Sequence, residues 1–441
     1  MVKINSDAMP RRAAVHTLGC RLNQSESQLV KDQLERAGYT IVGITEPADV
    51  GIINTCTVTR EADAKCRQAI RGFIRRNPDA FTAVIGCYSQ MGAKAIAEIG
   101  GVDLIIGNEE KLSVLDYLAL GKNARPLVVR ERIDKSDFSI QFAGDTPYRR
   151  RANLKIQDGC DFMCAFCIIP AARGRGRSRQ YANLLDEARA LAARGVREIV
   201  LTGVNIGTYR GPERDLLSVV DGVDEIPGIE RIRISSIEPT TVPPGLFDRM
   251  ADPAHALLPY LHLPLQSGSD RVLRAMRRRY TVGDYLAFVE TAHARVADLC
   301  LGTDIMVGHP QEDEAEFLET CRVFRENRFV YCHVFPYSER AGTAALRQPG
   351  QVPVLERQRR SARLRRLSAE RRYEFHRAHL GREMEVLFED PRAGVWPGLT
   401  GNYIRVVCQS REDLSNRRAV VRLDRVSADF VEGTVLETID P

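Results

Sequence analysis

Short apolar runs alternate with helical patterns over residues 13 to about 145. The apolar runs are Ala13–Leu18, Val50–Ile53 and Phe81–Ile85. Between the first two runs, apolar residues recur near helical spacing, which predicts a helix over Ser25–Arg36 that is closed by Ala37-Gly38. Strands that alternate with helices in this order indicate a parallel α/β sheet.

The same alternation returns between residues 152 and 338, with six strand candidates and helices such as Leu184–Arg194 between them. The candidates are Leu154–Ile156, Glu198–Thr202, Ile232–Ile237, Pro259–Leu263, Leu301–Val307 and Tyr331–Phe335. Six strand-and-helix units in this length favour an open, partial parallel barrel over a closed barrel of eight.

The pattern changes after an arginine-rich helix that is predicted from Val354 to about His379. Four short alternating segments separated by turn residues then predict a small β-barrel. They are Glu383–Phe388, Tyr403–Cys408, Ala419–Leu423 and Gly433–Leu436. We therefore expect an α/β protein with domains at residues 11–125, 146–378 and 379–441.

The composition agrees with a globular protein of two or three domains. The chain has 441 residues, 44% hydrophobic and 27% charged, which excludes fibrous and largely disordered classes. No apolar stretch is long enough to span a membrane, and the charged amino terminus does not resemble a secretory signal, so we expect a cytoplasmic protein with no membrane partner. A net charge of +5 permits a nucleic-acid partner without requiring one.

The 11 cysteines of the chain point to metal binding or catalysis, because disulfides are rare in a reducing compartment. Cys160, Cys164 and Cys167 have the spacing C-x3-C-x2-C directly after the first strand of the central region. Structural zinc sites use four ligands, whereas three thiolates suit a 4Fe–4S cluster with one open iron. Ligands also bind at the carboxyl ends of parallel barrel strands. The alternative is a chance grouping of three cysteines.

Three further cysteines lie far apart in the amino-terminal region. Cys20, Cys56 and Cys87 each fall at or just past the end of a predicted strand. The carboxyl ends of parallel strands meet at one edge of a sheet, where open α/β folds bind ligands. These thiols could therefore converge on a second cluster with one open iron, or they could be ordinary buried cysteines of the strands.

The central cysteine loop resembles that of the radical S-adenosylmethionine (SAM) superfamily, in which an aromatic residue precedes the last cysteine, as Phe166 does here. The resemblance implies that SAM binds the open iron and that a 5′-deoxyadenosyl radical carries the chemistry. The runs Leu201–Gly207 and Gly302–Gly308 look like the SAM-lining loops of this superfamily. The residues expected near SAM are Phe166, Gly203, Asn205, Glu238, Gln266 and Asp304.

Nearly the whole chain resembles the radical SAM methylthiotransferases. The similar segments are Thr17–Gln24, Asn54–Thr59, Gly86–Gln90, Gly159–Asp161, Ile168–Pro170, Arg173–Arg175, His262–Gly268 and the carboxyl-terminal β-domain, which looks like a TRAM module. Arg21–Gln24 and His333–Ser338 look most like the branch that acts on threonylcarbamoyladenosine in tRNA. Asp161–Met163, Ala171 and His309–Gln311 depart from the family pattern, and none of them replaces a cluster ligand.

The family resemblance implies two 4Fe–4S clusters, one on each set of three cysteines. It also implies a tRNA substrate, SAM as cofactor, a sulfur donor, and an electron donor such as flavodoxin or ferredoxin. The expected product is a 2-methylthio-adenosine at position 37, beside the anticodon. The alternatives are a methylthiotransferase of isopentenyladenosine or of a ribosomal protein, and an iron–sulfur RNA-binding regulator without turnover.

Arginines give a separate indication of RNA contact. The arginine-rich helix carries nine arginines against three glutamates, a balance suited to phosphate contact. Arg359, Arg363 and Arg366 are its candidate RNA ligands, and Arg173 and Arg175, just past the central cysteines, are two more. The alternatives are a solvated helix face and, for the latter pair, ion pairs with nearby carboxylates.

Overall fold

The computed structural model describes residues 11–122, 124–142, 151–427 and 429–439. The chain divides into two compact units. The first unit comprises residues 1–146, 158–162 and 167–179, and the second unit comprises residues 147–157, 163–166 and 180–441. The domain boundaries predicted at residues 125, 146 and 379 divide the chain differently from these two units. They stay a prediction.

The first unit is built on a six-stranded, entirely parallel sheet in the order β2-β1-β3-β4-β5-β6. Its elements are β1 (Arg12–Thr17), α1 (Arg21–Arg36), β2 (Thr40–Val42), β3 (Val50–Thr55), α2 (Arg60–Arg76), β4 (Phe81–Gly86), α3 (Cys87–Ala97), β5 (Leu104–Ile106), a 3-10 helix (Lys111–Leu120) and β6 (Leu127–Val129). The parallel α/β prediction is confirmed. Because β1, β3 and β4 are neighbours, their carboxyl ends lie side by side.

The predicted start of α1 at Ser25 is wrong by one turn. The helix begins at Arg21, directly after Cys20, and its first turn already buries Leu22 and Asn23. Polar residues in this turn hid the start, because periodicity alone cannot recognise an asparagine that is buried for its hydrogen bonds.

The chain next forms β7 (Ala152–Lys155), β8 (Gln157–Asp158), α4 (Ile169–Arg173) and β9 (Arg177–Ser178), of which α4 and β9 belong to the first unit. The second unit continues with α5 (Tyr181–Ala193), β10 (Glu198–Thr202), α6 (Leu216–Asp224), β11 (Arg231–Ile234), α7 (Leu246–Ala251), β12 (Tyr260–His262), α8 (Asp270–Ala275), α9 (Val282–Arg295), β13 (Cys300–Val307), α10 (Glu314–Glu326) and β14 (Tyr331–Pro336). Short 3-10 helices lie at Ile206–Thr208, Pro239–Thr241 and Ala345–Arg347.

Six parallel strands of the second unit form the predicted open barrel. They pair as β11-β10-β7 and β12-β13-β14, and isolated bridges such as Ser236 to His262 connect the two sets. Helices cover the outer face, where leucine, isoleucine and valine side chains form one large core.

The long helix α11 (Val354–Arg377) leads into a closed barrel in the order β15-β16-β17-β19-β18. Its strands are β15 (Glu383–Phe388), β16 (Trp396–Thr400), β17 (Arg405–Cys408), β18 (Arg418–Ser427) and β19 (Phe430–Thr438). The small barrel is confirmed, but the sequence pattern missed β16, because Pro397 and Gly398 disfavour a strand. Among the described residues, every helix is too short or too polar to cross a bilayer.

Candidate metal and cofactor sites

The first unit brings three widely separated cysteines to one edge of its sheet. Cys20 follows β1, Cys56 follows β3 and Cys87 begins α3 directly after β4. The thiols lie close enough for Cys87 to act electrostatically on Cys20 and Cys56, and for Cys20 to act on Cys56. Gly19 has a φ of +105°, and a Cβ added there would lie 2.7 Å from Cys56 Cβ. The turn before Cys20 therefore needs glycine both for its conformation and for the close approach of Cys56.

Two buried asparagines hold their side-chain oxygens toward this set. Asn23 Oδ1 lies 3.9 Å from Cys20 Sγ, and Asn108 Oδ1 lies 4.0 Å from Cys87 Sγ. Each amide is fixed by its nitrogen, since Asn23 donates to two backbone carbonyls at 2.8 and 2.9 Å and Asn108 donates to one at 2.6 Å. The asparagines thus form a rigid polar layer behind two of the three thiols.

Each asparagine oxygen also accepts a hydrogen bond from a buried cation. Arg173 donates to Asn23 Oδ1 at 2.6 Å, and Lys111 donates to Asn108 Oδ1 at 2.8 Å. Glu26 connects the two cations, because its carboxylate lies 3.0 Å from Arg173 and 2.6 Å from Lys111. None of these asparagine and lysine contacts could be read from spacing in the sequence.

Arg173 is not available to RNA. Its side chain is 1% exposed, and besides Glu26 it contacts Asp158 at 3.0 Å. The RNA-contact prediction for Arg173 is therefore wrong, and the alternative of pairing with nearby carboxylates holds. Arg175 differs, because it is 53% exposed and lies 3.6 Å from the exposed Asp161. Its RNA contact stays a prediction.

The donor set of the first unit fits an iron–sulfur cluster. Burial raises the pKa of the Cys56 thiol to about 12, so iron must displace its proton to bind. Cys66, in α2, is a buried fourth thiol whose Sγ lies 3.4 Å from both the backbone nitrogen and the carbonyl oxygen of Cys56. Cys20, Cys56 and Cys87 remain the three that follow strand ends.

Cys160, Cys164 and Cys167 lie on one short loop, and all three are half-buried. Gly159, just before the loop, has a φ of +68°, and a Cβ there would lie 1.9 Å from the backbone oxygen of Arg175. Only glycine fits, because the loop must pass this close to the chain. Within the same segment, the Phe162 amide donates to Cys160 Sγ at 3.4 Å.

In the second unit, a buried guanidinium faces Cys164. Arg278 Nη1 lies 3.3 Å from Cys164 Sγ, and Arg278 also forms an ion pair with Glu238. Burial raises the pKa of Glu238, while Arg278 opposes the shift. Tyr280 accepts from Arg278 at 3.1 Å and donates to the Pro264 carbonyl at 2.7 Å. Arg278 was not predicted as a site residue, because it follows a helix rather than a predicted strand.

The predicted SAM residues Gly203, Asn205, Glu238 and Gln266 lie in loops after barrel strands, whereas Asp304 lies within β13. The turn at Gly203 and Asn205 fits a ligand. Asn205 is buried, and among the described residues its Nδ2 has no hydrogen-bond partner. A Cβ at Gly203 would lie 2.9 Å from Gln157 Oε1, which accepts from the amides of Val204 and Asn205 at 2.9 Å each. The turn is thus closely packed, and it holds a buried side-chain amide of Asn205 that a ligand could satisfy.

The other predicted SAM residues lie on the same unit. Gln266 has a φ of +70°, and its backbone pairs with β13 at Asp304 and Met306. Phe166 packs edge-on against His309 with ring centroids 6.2 Å apart. Asp304 lies between two histidines rather than open to solvent. Contact of these residues with SAM stays a prediction.

The arginines of α11 divide into two groups. Arg357 and Arg360 are buried and paired with Glu339 and Glu312 at 2.7 Å each, so they stabilise the packing of the helix. The predicted RNA ligands Arg359, Arg363 and Arg366 are all exposed. Arg359 is paired with Glu314 at 2.6 Å and Glu356 at 2.7 Å.

Comparison with known proteins places both cysteine sets in a family. Residues 154–324 match the Radical SAM superfamily, and residues 12–107 match Uncharacterized protein family UPF0004. The chain is 35% identical to the threonylcarbamoyladenosine tRNA methylthiotransferase MtaB of Bacillus subtilis, over 97% of both chains. It is 32% identical to the tRNA-2-methylthio-N(6)-dimethylallyladenosine synthase of Anaplasma phagocytophilum, over 97% of this chain and 99% of that one.

Solved structures agree on the fold. The radical SAM methyltransferase TsrM from Kitasatospora setae matches with a TM-score of 0.54 at 16% identity, covering 77% of each chain. The cobalamin-dependent radical enzyme OxsB matches with a TM-score of 0.51 at 12% identity, covering 80% of this chain and 55% of that one. Identities this low bear on the fold alone, whereas the curated relatives extend over the full length. The chain therefore belongs to the radical SAM tRNA methylthiotransferase family of enzymes.

Proposed function

We propose that this chain transfers a methylthio group to C2 of N6-threonylcarbamoyladenosine at position 37 of tRNA. The observation that carries the proposal is the presence of two separate sets of three cysteines, one gathered from three strand ends and one on the central loop. The full-length similarity to MtaB of Bacillus subtilis supports the threonylcarbamoyl substrate.

Each set of cysteines would hold one 4Fe–4S cluster, with three thiolates leaving one iron open to a small ligand. Cys160, Cys164 and Cys167 would hold the cluster that binds SAM, and Cys20, Cys56 and Cys87 would hold the second. When bound, these groups supply the sulfur, the methyl group and the one-electron chemistry that replace the adenine C2–H bond with a C2–SCH3 bond.

The residues around each set have separate tasks. Arg278 places a positive charge 3.3 Å from Cys164 Sγ, where a thiolate ligand would carry negative charge, and Glu238 holds the guanidinium in that position. Asn23 and Asn108 fix the polar layer behind Cys20 and Cys87. Such outer contacts orient metal ligands and tune the group they hold.

The reaction also needs partners that supply electrons, sulfur and RNA. We expect an electron donor such as flavodoxin or ferredoxin, a separate sulfur donor, and tRNA bound through the exposed arginines of α11 and the TRAM-like barrel. A cytoplasmic location follows from that substrate. Bases in a loop, as in an anticodon loop, are the RNA elements that proteins can reach without opening a helix.

Mass spectrometry of tRNA nucleosides tests the substrate. We expect 2-methylthio-N6-threonylcarbamoyladenosine in cells that carry the gene and its loss when the gene is deleted. Anaerobic reconstitution tests the cofactors, and we expect about eight irons per chain, as two four-iron clusters require, with 5′-deoxyadenosine formed under reductant.

Other outcomes would favour other functions. Methylthiolation of isopentenyladenosine instead would support the second branch, to which the Anaplasma phagocytophilum synthase belongs by its name. A methylthiolated ribosomal protein with unchanged tRNA would support the third. RNA binding without any 5′-deoxyadenosine would support a regulator and contradict the proposal.

A further inference from the structure

Three neighbouring strands of the second unit place a carboxylate between two imidazoles. His262 ends β12, Asp304 lies in β13, and His333 lies in β14 in register with Asp304. Asp304 Oδ1 lies 2.9 Å from His262 Nε2 and 3.4 Å from His333 Nδ1. The two imidazole rings stack with centroids 4.9 Å apart. We call these residues the His-Asp-His triad.

The triad runs from the interior to the surface. His262 is buried and Asp304 is mostly buried, whereas His333 is 57% exposed. Although burial disfavours its charge, the two histidines hold the pKa of Asp304 well below its usual range. Asp304 is therefore an ionised acceptor that fixes the Nδ1 side of His333, and the opposite ring nitrogen, Nε2, points away from it.

His262 has little capacity left for another ligand. Its Nε2 faces Asp304, and its Nδ1 lies 3.2 Å from the Tyr331 hydroxyl, which in turn lies 2.7 Å from the Tyr260 hydroxyl. A neutral imidazole has one donor and one acceptor nitrogen, so both are engaged. A metal ion on this triad would have to displace the bond between His262 and Asp304, which makes a hydrogen-bonding role for His333 the better explanation.

An exposed aromatic ring stands beside His333. Tyr331, His333 and Phe335 alternate along β14 on one face, while Cys332 and Val334 pack into the core on the other. Phe335 is 41% exposed, and its ring is nearly perpendicular to His333 at 6.5 Å. A flat apolar ring next to a polar one suits a nucleobase that carries a polar substituent, because bases stack on aromatic side chains.

The surroundings of His333 favour a negative substituent. A cavity of about 290 Å³ is lined by His333, Tyr331, Tyr403, Arg372 and Arg405, among others. Arg372 stacks over the Tyr331 ring at 5.5 Å and lies 3.7 Å from the highly exposed Asp429, which also lines the cavity. Arg405 is exposed on β17. The cavity is therefore lined by two arginines, Arg372 and Arg405, and by one solvent-exposed carboxylate, Asp429. This excess of positive charge suits an anion.

The triad also lies within electrostatic range of the residues at Cys164. Asp304 acts on Glu238, which is paired with Arg278, and Arg278 contacts Cys164 Sγ at 3.3 Å. Asp304, Glu238 and Arg278 therefore connect His333 electrostatically with the cysteine that the proposed function assigns to SAM chemistry.

We propose that His333, held by Asp304, is a specificity-determining residue that hydrogen-bonds the acidic threonine portion of the substituent on the substrate adenosine. The inference rests on the proposed function and assigns one of its contacts. Because Nδ1 faces the Asp304 carboxylate, Nε2 of a neutral ring would accept a hydrogen bond from the threonine hydroxyl of that substituent, while its carboxylate would be drawn to the arginines of the cavity. An isopentenyl group offers no hydrogen bond and leaves the imidazole unsatisfied.

The test compares three anticodon stem-loop RNAs with the reconstituted full-length protein. The RNAs carry N6-threonylcarbamoyladenosine, N6-isopentenyladenosine or plain adenosine at the same position. We measure Kd at one fixed salt concentration, together with KM and kcat for methylthiolation. The variants are His333→Phe, His333→Gln as the conservative exchange, and His293→Phe as a control histidine on α9.

We expect His333→Phe to weaken binding of the threonylcarbamoyl RNA about 10- to 100-fold, because the threonine hydroxyl would be left without its acceptor in the complex. Binding of the other two RNAs should change little, and the loss should appear in KM more than in kcat. His333→Gln should recover part of the affinity, and His293→Phe should behave as wild type. This pattern would support the role of His333.

Three results would overturn the inference. Equal losses for all three RNAs would mean a structural role, and unchanged Kd values would mean no role. One zinc ion per chain, retained by the wild type and lost in His333→Phe, would identify a metal site instead. If the wild-type protein methylthiolates the threonylcarbamoyl RNA in any of these cases, only the inference fails. If it acts on no RNA, the proposed function fails and the Kd comparison still decides the role of His333.

Discussion

The two cysteine sets are built in opposite ways. Cys20, Cys56 and Cys87 come from three strands that are adjacent in space, so the sheet of the first unit gathers them. Cys160, Cys164 and Cys167 lie within one loop, where the covalent chain itself keeps them together. A site gathered by a sheet depends on the stability of that sheet, whereas a loop site depends mainly on local chain geometry.

The charged residues near the two cysteine sets are also arranged differently. In the first unit, Arg173 and Lys111 are buried and balanced by Glu26 and Asp158, with asparagines between the cations and the thiols. In the second unit, Arg278 contacts the sulfur of Cys164 directly. The first arrangement is a structural network behind the ligands, and the second is a single charge at the ligand.

The largest expected effect separates the chemical roles of the two sets. Cys87→Ala should abolish methylthiolation and lower the iron content to about four per chain, while SAM cleavage continues on the remaining cluster. Cys164→Ala should abolish both activities, because SAM would lose its cluster. The measurements are iron content, 5′-deoxyadenosine and modified nucleoside from the same reconstituted samples.

Cys66→Ser is the matched control for Cys87→Ala. Cys66 is also buried and lies against Cys56, so its exchange tests whether any nearby thiol matters. We expect about eight irons and normal methylthiolation, as two intact clusters imply. Retention of about eight irons in Cys87→Ala, or loss of half of them in Cys66→Ser, would show that Cys20, Cys56 and Cys87 are not the three ligands of the second cluster.

The next effect concerns the ion network of the first unit. Arg173→Met should destabilise the metal-free protein by about 3–5 kcal/mol, because Glu26 would keep only Lys111 as a buried counter-charge and the buried Asp158 would lose its ion pair with Arg173. Arg175→Met, two residues on, should cost no more than about 0.5 kcal/mol, since its ion pair is exposed. Urea unfolding compares them, and similar losses would contradict the division between buried network and surface.

Arg173 also marks where prediction from the sequence stops. Arg173 and Arg175 look alike from their neighbours in the sequence. Contacts with Glu26 and Asn23, nearly 150 residues away, bury Arg173. The parallel sheet and the open barrel followed from periodicity, and the six cysteines were singled out by their spacing and by their places after predicted strands, while their role as cluster ligands stays a prediction. His333 and Arg278 were not singled out as site residues, because their meaning comes from partners on other strands and loops rather than from their own surroundings in the chain.

A smaller loss is expected from a charge cluster remote from the cysteines. Glu198 in β10 is buried and contacts Arg233 at 2.9 Å and Arg231 at 3.1 Å, and both arginines also donate to backbone carbonyls of the terminal barrel. Burial disfavours its charge, yet these arginines and Arg151 lower the pKa of Glu198 to about 2. Glu198→Gln should cost about 3 kcal/mol at pH 7.

The pH dependence of that loss gives a sharper test. A carboxyl group whose pKa falls on folding contributes all of its stability above its unfolded value near 4.5, and the contribution disappears as the pH falls toward about 2. The wild-type advantage over Glu198→Gln should therefore shrink across that interval. Glu290→Gln, on the exposed side of α9, is the control for loss of a surface carboxylate. A constant difference across the interval would argue that packing, rather than charge, accounts for the loss.

The smallest expected effect separates exposed arginines that are paired from those that are not. Arg366 is exposed on α11 and forms no ion pair with any residue that the structure describes, whereas Arg359, which is also exposed, is held by Glu314 and Glu356. A paired arginine must give up its carboxylates before it meets a phosphate, so it gains less from RNA. Arg366→Gln should weaken tRNA binding about two- to fivefold and lower the salt dependence by about one unit of slope, and Arg359→Gln should do less of both. Equal salt slopes for the two variants and the wild type would mean that this face of the helix is solvated and that tRNA binds elsewhere on the protein.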